Sequence, residues 1–134
     1  MHTIKLPRQI VNKMLAHAQS KTEQEVCGLI SLRNDKQMQL IPISNIATEA
    51  SHFFEMDPSE TIQAMKAIRD EKSELYAIYH SHPCAPATPS KLDVEKVGYP
   101  DVLYLIISLN TKGVLELKGY KINNNQVISI DLII

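Results

Sequence analysis

"IYHSHPCAPATPSKLD", residues 78–93, decides how this chain is read. With the residues before it, "ELYAIYHSH" (74–82) has the length and apolar content of a strand. Residues two apart on a strand point to the same side. His80 and His82 therefore present two imidazoles in one direction, and Tyr79 and Ser81 face the other way. Pro83 has no N–H to give a central strand, so the strand stops at His82. "SKLDVEKV" (90–97) then reads as a short helix with Ser90 at its N-cap. Asp93, one turn on, can aim its carboxylate back at the histidines. Three readings stand at this level: a metal site, the surroundings of a thiol nucleophile at Cys84, or a polar turn between buried elements.

Two neutral imidazoles and one carboxylate form an N/N/O set that suits a catalytic Zn²⁺ ion with one position left for water. Such an ion brings the pKa of its water from about 15.7 toward roughly 7. Attack on a carbonyl also needs a proton acceptor and a donor for the developing oxyanion. Ser90 is a candidate donor from its spacing.

Outward from this stretch the pattern alternates helices and strands. Leu6, Ile10, Met14 and Leu15 fall at helical spacing, predicting a helix over 6–20 with Pro7 in its first turn. "VCGLISL" (26–32) and "MQLIPIS" (38–44) predict two strands joined by the polar loop "RNDKQ". In "DPSETIQAMKAIRDEK" (57–72), Asp57 is the expected N-cap, Pro58 the first helical residue and Glu60 the partner in a capping box. Ile62, Met65 and Ile68 are expected to share its buried face. "VLYLIISL" (102–109) is a continuous apolar run, as in a strand covered on both sides. Two alternating segments, 113–122 and 126–134, close the chain around the turn residues "NNN". The fold class expected is α/β, a mixed central β-sheet flanked by helices in two or three layers.

The length of 134 residues fits one domain spanning 1–134, and a net charge of −1 with scattered Lys and Arg gives no footprint for nucleic acid or a membrane surface. The N-terminus lacks the apolar core of a signal peptide, and two cysteines are too few for a disulfide framework, so a cytoplasmic setting is expected. Cys27 reads as a small buried hydrophobe. His2, His17 and His52 fall outside the pattern and are expected at the surface.

The spacing His-x-His-Pro, six residues, Ser, two residues, Asp resembles the JAMM (MPN+) zinc metallopeptidase family, in its short single-domain bacterial form. "EVCGLI" (25–30) is similar to the family's upstream glutamate segment, and "GYPDVLYLIISL" (98–109) to the strand that follows the motif. The resemblance runs from Ile4 to the C-terminus. It implies the family's cytidine-deaminase-like arrangement of a mixed sheet and helices. It implies His80, His82 and Asp93 as ligands of one zinc ion, Glu25 as general base and Ser90 as the donor to the tetrahedral intermediate. Nothing local picks out Glu25: an isolated glutamate before a strand reads as a solvated residue.

The implied activity is hydrolysis of the amide bond after a C-terminal Gly-Gly. The implied partner is a ubiquitin-like or small sulfur-carrier protein whose tail adds to a sheet edge. An exposed edge strand also offers a homodimer contact. A non-catalytic scaffold of the same fold is the alternative, but scaffold relatives have usually lost ligands that this chain keeps. A DNA-associated relative sharing His-x-His-Pro is disfavoured by the absence of a basic patch. "HSHPC" is similar to the start of a zinc deaminase signature, yet position 82 is not glutamate and position 87 is not cysteine. Cys84 is expected as a redox-sensitive loop thiol beside the site, with a fourth-ligand role and a bridge to Cys27 as the alternatives.

Overall fold

A computed structural model describes residues 3–134. Seven strands form one mixed sheet in the order β1-β7-β6-β5-β4-β2-β3. They are β1 (Thr3–Lys5), β2 (Cys27–Leu32), β3 (Met38–Ile43), β4 (Glu74–His82), β5 (Leu103–Ser108), β6 (Glu116–Asn123) and β7 (Gln126–Ile133). Three helices complete the chain: α1 (Arg8–Ser20), α2 (Pro58–Asp70) and α3 (Lys91–Glu95). His2 lies outside the described residues.

Alternation along the central strands builds three layers. On β4 and β5, Ala77, Tyr79, Leu103, Leu105 and Ile107 face one way and pack with Ile10, Val11, Met14 and Ala18 of α1. Ile78, Tyr104 and Ile106 face the other way, with Ala64 and Ile68 of α2 and with Val94 and Val97 in and after α3. Each fully buried Leu or Ile contributes about 1.5–3 kcal/mol, so these two layers hold the central strands in place. β4 runs parallel to β5 and antiparallel to β2, with His80 opposite Cys27 on one side and Ile106 on the other. The sheet ends in β1 and β3.

Several local details differ from the sequence reading. Pro7 is the N-cap of α1 and not part of its first turn. Asp57 caps α2 as expected, accepting from the Ser59 and Glu60 amides. Glu60, however, does not close a capping box, because the end of β3 approaches closely enough for Glu60 Oε1 to accept from Ser44 N at 2.8 Å. Ile62 is 69% exposed, since the start of α2 overhangs a cleft and only Ala64 and Ile68 of this helix are buried. His17 is half-buried and hydrogen-bonded through Nδ1 to the Tyr79 hydroxyl at 2.7 Å. A phenol as deeply buried as Tyr79 needs such a partner. His52 is exposed, as expected. The turn between β6 and β7 places Asn124 and Asn125 at φ 51° and 64°, the left-handed pair that a two-residue hairpin demands.

Gly28 explains why its segment has no side chain there. A Cβ would collide with the Tyr79 ring and come within 2.6 Å of the Ile41 carbonyl oxygen. Gly28→Ala is expected to cost about 3 kcal/mol by overpacking, read as a fall of roughly 10 °C in the melting temperature. A change below about 2 °C would show that the Tyr79 ring can move aside.

Candidate metal centre

β4 delivers the two histidines from the C-terminal end of a central strand. Both are buried, and their Nε2 atoms stand 3.1 Å apart. α3 delivers the carboxylate. Asp93 Oδ2 lies 3.1 Å from His80 Nε2 and 3.2 Å from His82 Nε2. Three donor atoms therefore form a near-equilateral triangle. A tetrahedral ion with arms of about 2.0–2.1 Å has edges of roughly 3.3 Å, so the triangle matches one face of such a site. Among the described residues, Glu25, His80, His82 and Asp93 form the one group whose ligand atoms come together, all within 4.8 Å.

Local chemistry fixes each member. Ser90 and Asp93 close a reciprocal capping box: Ser90 Oγ accepts from Asp93 N at 3.0 Å, and Asp93 Oδ2 accepts from Ser90 N at 2.9 Å. The cap that starts α3 is thus the device that aims the carboxylate. Ser90 is exposed and its hydroxyl hydrogen is left free by this arrangement. His82 Nδ1 donates to the Pro86 carbonyl at 2.8 Å, which fixes the tautomer with a lone pair on Nε2. Phe54 stacks on His80 with centroids 4.5 Å apart and planes at 28°. Pro86 O and Phe54 were not identified from the sequence; the Pro-rich spacing after His82 is the only signal that bears on the first.

The 83–89 loop is held by its carbonyls. Ala85 O accepts from Ser108 Oγ of β5 at 2.6 Å, Pro86 O from His82 of β4, and Ala87 O from the Tyr120 hydroxyl of β6 at 2.6 Å. Cys84 sits in this loop, exposed and outside the ligand cluster, and Cys27 is buried with its thiol directed at the Ile43 carbonyl. Neither forms a disulfide, so the bridge and the fourth-ligand alternatives for Cys84 are not what the structure holds.

Glu25 is the main departure from the residue-level reading. It is only 4% exposed, and its Oε1 has no hydrogen-bond partner. Burial pushes its carboxyl up to about 8, with the nearby His82 pulling it down and Asp93 pushing it further up. Burial also lowers His80. His82 and Asp93 are each disfavoured in their charged form by burial, but hydrogen bonding wins: contacts with Asp93 and Pro86 O raise His82, and contacts with His80 and then His82 hold Asp93 well below the usual carboxylate range. An unpartnered buried polar atom costs about 1–3 kcal/mol, and Glu25 Oε1 and His80 Nδ1 are two such atoms in one site. A cation and a water would relieve the first of these, so the donor set fits a metal ion.

This carries a pH prediction for the metal-free protein. Glu25 keeps its proton in the fold to about pH 8, whereas in the unfolded chain it loses it near 4.5. Over that window the folded state binds more protons, so its contribution to stability falls as pH rises. Glu25→Gln removes the penalty. The variant is expected to match the wild type near pH 5 and to be more stable at pH 8 by up to about 4 kcal/mol. Denaturant unfolding at the two pH values checks this, and equal stabilities at pH 8 would refute the buried-acid reading.

An apolar cleft of about 420 Å³ opens beside the cluster, with His80 and Asp93 on its wall. Phe54, Met56, Ile62, Leu92, Val97 and Ile106 line it.

Comparison with known proteins gives concordant results. The sequence profile of prokaryotic homologs of the JAB domain matches residues 7–119. A protein described as CysO-cysteine peptidase, from Mycobacterium tuberculosis, is 30% identical over 129 residues, covering 95% of this chain and 88% of its own. A protein described as desampylase, from Pyrococcus furiosus, is 30% identical over 127 residues, covering 95% and 86%. Among solved structures, that of protein DSY2949 from Desulfitobacterium hafniense superposes with a TM-score of 0.82 at 32% identity, covering 99% of this chain and 92% of that one.

Proposed function

The chain belongs to the family of prokaryotic homologs of the JAB domain, and from that premise we propose that it hydrolyses the amide bond joining the C-terminal Gly-Gly of a ubiquitin-like or sulfur-carrier protein to an amine. The observation that carries the reading is the convergence of His80, His82 and Asp93 with a buried, unpartnered Glu25. The relatives described as CysO-cysteine peptidase and desampylase support a peptidase acting on such conjugates. The ligand set keeps every member, which favours catalysis over the scaffold alternative. We read residues 1–134 as one working domain in the cytoplasm. Two free thiols and the lack, among the described residues, of any helix long and apolar enough to cross a membrane support that setting.

His80, His82 and Asp93 are the proposed ligands, and the two imidazoles with one carboxylate favour Zn²⁺. When bound, zinc supplies a lowered water pKa and polarises the scissile carbonyl. Glu25, whose carboxylate form a cation seated among His80, His82 and Asp93 would favour, takes the proton of the attacking water and hands it to the departing amine. Ser90 donates its free hydroxyl hydrogen to the oxygen of the tetrahedral intermediate. Phe54 covers one face of His80 and keeps bulk water from it. The open edge at β3 offers backbone groups to an extended tail, and the apolar cleft offers room for an apolar side chain upstream of the glycines.

A panel of ubiquitin-fold carriers with C-terminal extensions, read by intact mass, tests this. Cleavage after the terminal glycine is expected, abolished by a chelator and restored by Zn²⁺. Absence of cleavage across the panel, or cleavage indifferent to the chelator, would sink it.

A further inference from the structure

Residues 44–57, between β3 and α2, form a long loop with a closed throat. Asp57 N donates to Ser44 O at 3.0 Å and Ile46 N to Glu55 O at 2.9 Å, with Asn45 bridged to Met56 between them. The side chain of Asn45 lies across this throat. Its Oδ1 accepts from Ala47 N and Glu55 N, both at 3.0 Å. Its Nδ2 donates to Phe53 O at 3.1 Å and to Glu25 O at 2.8 Å. A primary amide has two donors and two acceptor sites, so this one is fully used. Three of its bonds are internal to the loop. The fourth leaves the loop and ends on the backbone of Glu25.

Glu25 has need of that bond. It precedes β2, which begins at Cys27, so no strand pairing fixes it. Its N–H donates to Ala50 O at 2.7 Å, again in the loop. Both backbone polar groups of Glu25 are therefore held by residues 45–50. The same amide holds Phe53 O, next to the Phe54 ring that stacks on His80.

We infer that Asn45 is the positioning residue for the base, tying the 44–57 loop and Glu25 into one unit so that the carboxylate stands among His80, His82 and Asp93. The inference rests on the reading of Glu25 given above. Asn45 acts through Glu25 and has no role in ligation. Aspartate has nearly the same shape but cannot substitute for it. It keeps the acceptor oxygen and replaces Nδ2, with its two N–H donors, by one oxygen facing both the Glu25 and Phe53 carbonyls. A misplacement of about 1 Å in a reacting group costs on the order of 10²-fold, which sets the scale of the effect.

Two measurements on the full chain test this. In the metal-free protein, amide hydrogen exchange at Glu25 is expected to rise at least about tenfold in Asn45→Ala and in Asn45→Asp, with Leu29 and Ile106 in the central strands unchanged. Equal acceleration of the strand amides, no change at Glu25, or failure of both variants to fold would make Asn45 a general structural prop and overturn the inference. With a cleavable carrier conjugate, kcat is expected to fall about 10–100-fold, with KM and metal content within about twofold of wild type. Placed on Glu25→Gln, the same substitutions should change the residual rate less than about twofold. Equal losses in both backgrounds would overturn it. If the wild type cleaves no conjugate, the function proposed above fails, while the exchange experiment still decides the tie to Glu25.

Discussion

Glu25→Gln is expected to reduce kcat by about 10²–10⁴-fold while the protein keeps its metal. Glutamine has the shape of protonated glutamic acid, so it fits a side chain that is 4% exposed without repacking. It cannot accept a proton, and that is the function assigned to this position. The proposed ligands come from β4 and α3, not from the segment that carries Glu25, so their triangle should survive. Metal content by elemental analysis and initial rates on a carrier conjugate separate the two effects. Activity within tenfold of wild type would remove Glu25 from the mechanism. Loss of the metal would make it a ligand and not a base.

Asp93→Ala is expected to act in the opposite sense, emptying the site and taking activity to background. Asp93 Oδ2 stands 3.1 and 3.2 Å from the two imidazole Nε2 atoms and accepts from the Ser90 amide. Its removal takes away the only anionic member of the triangle and unmakes the capping box that starts α3. Changes in groups around a metal already cost about 10–100-fold in affinity, so loss of a ligand should exceed 100-fold. The Ser90 Oγ cap on the residue-93 amide remains, so α3 loses only the reciprocal half of its box. Excess Zn²⁺ should recover part of the activity of Asp93→Ala and none of that of Glu25→Gln. Full metal binding by Asp93→Ala at ordinary concentrations would reassign the third ligand.

Much of the fold was legible because short-range rules decide it. β4 ends at His82 because Pro83 cannot donate, and α3 starts right after Ser90, whose hydroxyl accepts from Asp93 N. β5 reads as buried on both faces because every residue from Leu103 to Ser108 is apolar or small, and all six are buried. What escaped depends on distant partners. β1 is three residues long and exists by pairing with β7, at the far end of the chain. Glu60 bonds Ser44, just past β3, in place of its own helix, a choice set by tertiary approach. The burial of Glu25 follows from the 44–57 loop folding over it, which no local periodicity encodes. Its role was accessible through resemblance alone, and Asn45, whose four bonds all end on backbone, left no mark in the spacing of the motif.

The 83–89 loop adds a last consequence. Three successive carbonyls, at Ala85, Pro86 and Ala87, are claimed by β5, β4 and β6. The loop is therefore a crosspiece fastened to three neighbouring planks, and its proline at 86 leaves it little freedom of its own. A slip of one strand against the next must twist this crosspiece and turn the His82 ring with it. The orientation of His82, a proposed ligand, thus depends through Pro86 O on a loop that is also anchored by Ser108 and by Tyr120, residues outside the ligand cluster.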